Sequence, residues 1–361
     1  MTGTTDVGCG AAVATRLLEI SGPDLYRRNA FRITGLPTDA SARAVRERRQ
    51  QVAAALAVGA CVRSDSELLL PAPATPHQFG AAFDDLDDVQ RRVIEELFWF
   101  WETPDATCPC LRSLHGDHDA ARRAHARALD YELDAQASGW SMWEQSERDE
   151  LWIDAAERWT VLLSRPAFWD HIHHRVHTLD DRRLGRSILD AIRNTLPRAL
   201  VKPVVDLAVA AEDPTRLVHH ATRWFAGQTI ADDLLAEAAA ALHRPIARLT
   251  AQATEQFDAG KPRGAIATAY HTVVPALRRL EGLAPHQRHR ATATARDTVA
   301  VLLTHCALTL MDNLEPIPTA EIGELLDTAY GLAAKAETRR TISNNRAILD
   351  DLARAKQEDR W

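Results

Sequence analysis

Apolar residues in this chain recur at spacings of three and four, and most Pro and Gly residues fall between such stretches. That period runs one apolar stripe along a helix, whereas a half-buried strand needs strict alternation. Ala and Arg, both strong helix formers, dominate, and β-branched residues are scattered. The sequence therefore predicts an all-α protein. Helices are expected at about residues 11–20, ended by Ser21-Gly22-Pro23, at 25–34, ended by Gly35-Leu36-Pro37, and from a cap at Asp39 or Ser41 through about Val58, closed by Gly59. Residues 60–76 hold three prolines and a Leu triplet without helical period, and read as an extended connection with room for one short strand. The period returns at Phe79, Ala82, Phe83 and Leu86, breaks at Asp87-Asp88, and resumes from Val89 through Val93, Ile94, Leu97 and Phe98 to Trp101. Further helices are expected at 116–137, 145–163, 166–178, 181–195, 197–210, 213–227, 229–241, 243–259, 262–281, 284–311, 318–336 and 338–356. The organisation read from this is an N-terminal helical extension over 1–23, a helical domain over 24–103 and an irregular helical array over 104–361.

Charge narrows the partner classes. With 43 Lys+Arg against 50 Asp+Glu, the formal charge of −7 gives no global positive field, so neither nucleic acid nor a membrane surface is the expected partner. Five cysteines, odd in number and spread along the chain, do not form the pattern of a disulfide framework and point to a reducing compartment. No apolar run approaches the roughly 20 residues of a membrane span. The first residues lack the basic region of a signal peptide, so a cytoplasmic location is expected.

Two resemblances add to this reading. Residues 24–101 resemble a J-domain, the module by which DnaJ-type co-chaperones engage DnaK-type ATPases. Asn29 to Ser41 (NAFRITGLPTDAS) match the family's entry helix and turn, Arg43 to Leu56 match its basic second helix, and Phe79 to Arg92 match the third helix, acidic turn and start of the fourth. The resemblance implies a helical hairpin filled by Phe31, Ile33, Leu36, Phe79, Phe83 and Leu86, with docking on a chaperone through Arg43, Arg46, Arg48 and Arg49. The bland alternative for these arginines is a solvated face shared with Glu47. The family's His-Pro-Asp triplet, which triggers the partner's ATPase, is absent here, and Pro76-His77 stands in the wrong order. Separately, Leu114 to Leu129 and Phe257 to Tyr270 look like the inner turn of a tetratricopeptide-type helix pair, each with a Gly in an inter-helix turn. That family's period of about 34 residues is not sustained.

The densest set of soft ligands is Cys108-Pro-Cys110, with His115 and His118 after it. Two thiolates and two imidazoles can close a tetrahedral zinc site, and the alternative is buried thiols beside a solvated turn. The stretch Asp170 to His177 spaces His173 and His177, and Asp170 and His174, by four on a helix whose histidines should face water. His219-His220 and His305-Cys306 read as packing residues. Asp87-Asp88, Asp180-Asp181 and Asp232-Asp233 are expected at helix starts, where a carboxylate meets the positive dipole end. Seven of the nine tryptophans fall between residues 99 and 169. They read either as core or as a partner groove, in which Trp140 and Trp143 are the candidate contacts. No phosphate loop, dinucleotide fingerprint, nucleophile elbow or HExxH motif is present. The function expected is a non-enzymatic adaptor that docks on a DnaK-type chaperone or similar protein and presents a helical surface to a second one. The alternative is a metal-dependent hydrolase built from the His171–His177 helix and the Cys108/Cys110 segment.

Overall fold

The computed structural model describes residues 3–62, 72–102, 104, 108–138, 142–225, 229–313 and 317–358. Every regular element among them is helical, as expected, and the short strand allowed for in 60–76 is not seen among the described residues. The chain divides into two compact units, Met1–Leu207 with His219–Ala231, and Ala208–Val218 with Asp232–Trp361.

The helices of the first unit are α1 (Gly3–Ile20), α2 (Ala30–Thr34), α3 (Ala42–Ala57), α4 (Pro76–Asp87), α5 (Val89–Leu97), α6 (Arg112–Ser138), α7 (Met142–Leu163), α8 (Pro166–Thr178) and most of α9 (Arg186–Ala210). Local chemistry sets the early boundaries. The Asn29 side chain accepts from the Phe31 and Arg32 amides, and the buried Glu95 carboxylate accepts from Ala30 at 2.8 Å. These acceptors start α2 at residue 30 rather than at the expected 25. Thr75 and Gln78 form a reciprocal capping box ahead of α4, and Asp88 caps α5. The six residues expected to fill the hairpin are buried together with Val45 and Val52. Arg49 of α3 lies over the Phe83 ring and reaches Asp87 at 2.7 Å and Asp84 beside it. Within this unit, residues of the 24–102 stretch meet the helices that follow: Arg27 pairs with Asp130 at 2.6 Å, Tyr26 meets His125 at 2.9 Å, and Arg175 pairs with Glu96 at 3.1 Å.

Prolines deceive the sequence reading twice. The expected break near 196 is absent, and α9 runs through Pro197 and Pro203, because Leu196, Ala199, Leu200, Val201 and Val204 are fully buried on it. Packing there outweighs the missing backbone donors. Pro245 likewise lies inside α11 (Ile230–Asp258), which follows the short α10 (Thr215–Ala221). Pro275 does act: the helix expected over 262–281 is divided into α12 (Pro262–Thr268), a π turn (Ala269–Val273) and α13 (Val274–Leu283). A wider turn just before a proline relieves its clash with the preceding carbonyl. The second unit continues with α14 (Arg290–Asn313), α15 (Thr319–Leu332) and α16 (Ala336–Glu358), around a core that includes Val273, Leu280, Leu303, Leu310 and Leu326. Gly116 is not in an inter-helix turn, since α6 begins at Arg112. Gly260 does occupy the expected turn, at φ 73°. Asp181 holds the Arg183 amide and side chain in the loop before α9 instead of starting a helix.

Candidate functional site

A groove of about 880 Å³ lies between α11 and α14 in the second unit. These helices run in the same direction. His243 feels the charge of His289 just before α14, and fourteen residues on, Phe257 stacks on His305 at 6.2 Å between ring centres. Small residues make the groove, with Ala247 and Ala251 on α11 facing Ala291 and Ala295 on α14. Four threonines complete the walls, and each hydroxyl donates to a carbonyl of its own helix, Thr250 to Ile246, Thr254 to Thr250, Thr294 to Arg290 and Thr298 to Thr294, at 2.8–3.0 Å. Their polar demand is met internally, so the surface acts as an apolar one. Charge is unequal along it. His243 and Arg290 stand at one end, and Glu255 marks the other. Burial, then the neighbouring His289, holds His243 below its ordinary value. Arg244 and Arg248 are exposed on the α11 stripe that leads through Ala251 to Glu255.

The Cys/His residues expected to gather are gathered, with one exchange. Cys108 Sγ lies 3.6 Å from His115 Nε2 and 3.8 Å from His171 Nδ1, and Cys110 Sγ is 3.3 Å from the same His171 nitrogen. His118, the fourth ligand expected, is turned away. Its Nδ1 faces Asp119 at 3.2 Å, its Nε2 faces the Leu97 carbonyl at 3.1 Å, and its ring stacks on Trp101. Burial drives His118 below its ordinary pKa and carries His171 down to about 2, with His115 adding to the second effect. Burial and then Cys108 push the Cys110 thiol up to about 11. The signal for His171 was the His-rich stretch of α8. It was read as water-facing, which holds for the exposed, mutually packed His173 and His177 but not for His171, which is 2% exposed.

The arginines of α3 separate into two pairs. Arg48 donates to the Thr34 carbonyl at 2.9 Å, and Arg49 is held by α4, while Arg43 and Arg46 are exposed and Arg43 pairs with Glu47 at 2.7 Å. Trp99, Trp101, Trp152 and Trp159 are core residues, and Trp169 is half-buried, donating to the Leu163 carbonyl at 2.9 Å. Trp140 and the side chain of Trp143 lie outside the described residues. No helix of the described residues is long and apolar enough to cross a membrane. Compared with protein-family models, with curated proteins and with solved structures, the chain has no match.

Proposed function

We propose that this chain is a protein-interaction adaptor, and that the groove between α11 and α14 receives an amphipathic helix from another protein. The open, Ala- and Thr-lined groove carries this reading. Alanines let a partner backbone approach closely, and the exposure of Ala247, Ala251, Ala291, Thr294 and Thr298 suits an elongated occupant better than an enclosed small molecule. From His243 to Glu255 the groove follows α11 for roughly 18 Å, a little over three helical turns. Its basic end lies at the start of α14, where helix amides also concentrate positive charge. An occupant antiparallel to α14 places its negative C-terminal end there, and carboxylates in its last turn complete the match.

The test is selection of displayed peptides of roughly 14 residues on the full-length chain. Support is a consensus with apolar residues at i, i+3 or i+4, and i+7, acidic C-terminal turns, and binding weakened about tenfold or more by Arg290→Glu and by Ala295→Trp. Failure to enrich such peptides, or binding indifferent to both changes, refutes the reading.

Docking of the first unit on a DnaK-type chaperone is a second reading, favoured by the outward-facing Arg43 and Arg46 and by the J-domain resemblance. The hydrolase alternative is not carried forward, because the void beside the Cys/His cluster, about 30 Å³, is far smaller than a substrate pocket.

A further inference from the structure

We propose that Cys108, Cys110, His115 and His171 form a structural zinc site. One donor atom from each lies within 4.8 Å of all the others. With zinc–sulfur bonds of about 2.3 Å and zinc–nitrogen bonds of about 2.05 Å, a tetrahedron has sulfur–nitrogen edges of ~3.6 Å. The observed sulfur–nitrogen separations, 3.3, 3.6 and 3.8 Å, scatter around that edge.

The surroundings orient the donors as a metal requires. His115 directs Nδ1 at the Glu102 carbonyl, 3.0 Å away. The proton belongs on that nitrogen, because a carbonyl only accepts, and the Nε2 lone pair is left facing Cys108. The Glu102 carbonyl is itself fixed, because both oxygens of Asp119 take backbone amides, Trp101 at 2.8 Å and Glu102 at 3.0 Å. His171 is set by Trp101, whose ring centre lies 4.0 Å from its own. Two thiolates cancel the charge of a divalent ion, which suits a half-buried position near the Arg175 guanidinium. Four protein donors leave the ion no open position, and closed four-ligand sites stabilise folds instead of activating substrates. Such an ion ties three parts of the first unit together: the segment ahead of α6, the first turn of α6, and α8.

The test uses the full-length chain, purified under reducing conditions, stripped with chelator and reloaded with zinc or cobalt(II) alone. The expected result is one ion per chain, with the intense ligand-field and thiolate charge-transfer absorption of tetrahedral cobalt. His115→Ala and His171→Ala should weaken binding by about 100-fold or more, while His118→Ala leaves the stoichiometry intact. Because variants lacking a ligand can fail to fold, His171→Cys serves as a second probe. It should keep tetrahedral cobalt and strengthen the thiolate band. The proposal is overturned by a reduced chain that takes up no zinc, by six-coordinate cobalt, by loss of metal in His118→Ala equal to that in His171→Ala, or by His171→Cys leaving the cobalt spectrum unchanged.

Discussion

Asp119 holds Glu102 in a left-handed backbone conformation: its carboxylate accepts the Glu102 amide at 3.0 Å while that residue sits at φ 55°. A non-glycine residue there costs about 1 kcal/mol, and an over-determined anchor is what keeps it in place. Glu102→Gly should therefore leave stability unchanged or raise it by up to about 1 kcal/mol. Asp119→Ala strands two backbone amides and removes the partner of His118, and should cost about 3 kcal/mol. Urea denaturation of both variants decides it, and equal effects would show that Glu102 is not held by this carboxylate.

Much of the fold was legible from the three- and four-residue period alone, and what was not follows from tertiary terms. The hairpin core from Phe31 to Leu86 was visible because each of its residues lies on an apolar stripe. Pro197 misled, because the full burial of Leu196, Ala199 and Leu200, which carries α9 through it, is a tertiary effect. Three of the four clustered donors were visible as a local run, Cys108, Cys110 and His115. His171 lies 56 residues beyond His115, and no local pattern tells which histidine of α8 turns inward. His118 shares the run but not the site, because Asp119 and the Leu97 carbonyl occupy its two nitrogens. The groove was invisible: alanines and threonines at helical spacing look the same whether a neighbour fills the space between them or not.

Acid should weaken the first unit through His125. This residue is fully buried, shares a hydrogen bond between its Nδ1 and the Tyr26 hydroxyl at 2.9 Å, and is driven by burial to a pKa of about 3. Its ordinary value is about 6.5. The unfolded chain therefore takes the proton first, so the contribution is complete above pH 6.5 and is lost as pH falls toward 3, at about 1.4 kcal/mol per pH unit. His125→Gln keeps a hydrogen-bonding group for Tyr26 without the titration. Denaturation curves between pH 7.5 and 5 should lose about one proton's worth of slope in this variant, and an unaltered slope would sink the assignment.

In the second unit, Gly282→Ala should destabilise, although alanine is the better helix former by about 1 kcal/mol. A Cβ at that position would stand 2.3 Å from Pro214 Cγ and 2.8 Å from its Cδ, and a proline ring cannot rotate aside. Overpacking of this kind costs about 1–3 kcal/mol, which exceeds the propensity gain. A rise in the thermal midpoint would mean that α13 shifts freely past Pro214.

The α3 arginines separate docking from stability. Arg43 and Arg46 point outward, and the exposed Arg43–Glu47 pair contributes little, so reversing both arginines to Glu should change stability by no more than about 0.5 kcal/mol. Arg49 differs, because it bridges α3 to Asp84 and Asp87 on α4 and covers the Phe83 ring. Arg49→Glu sets three carboxylates together and should cost about 1 kcal/mol, a modest figure because water screens this half-exposed group. If the basic face docks on a DnaK-type chaperone, the Arg43/Arg46 reversal removes binding to the purified chaperone while the thermal midpoint stays in place. Retained binding in that double variant would place the contact elsewhere. Stimulation of the chaperone's ATPase is expected to be negligible with the wild-type chain, since the loop that should carry His-Pro-Asp does not contain it. A several-fold rate increase would show that another part of the hairpin can supply the trigger.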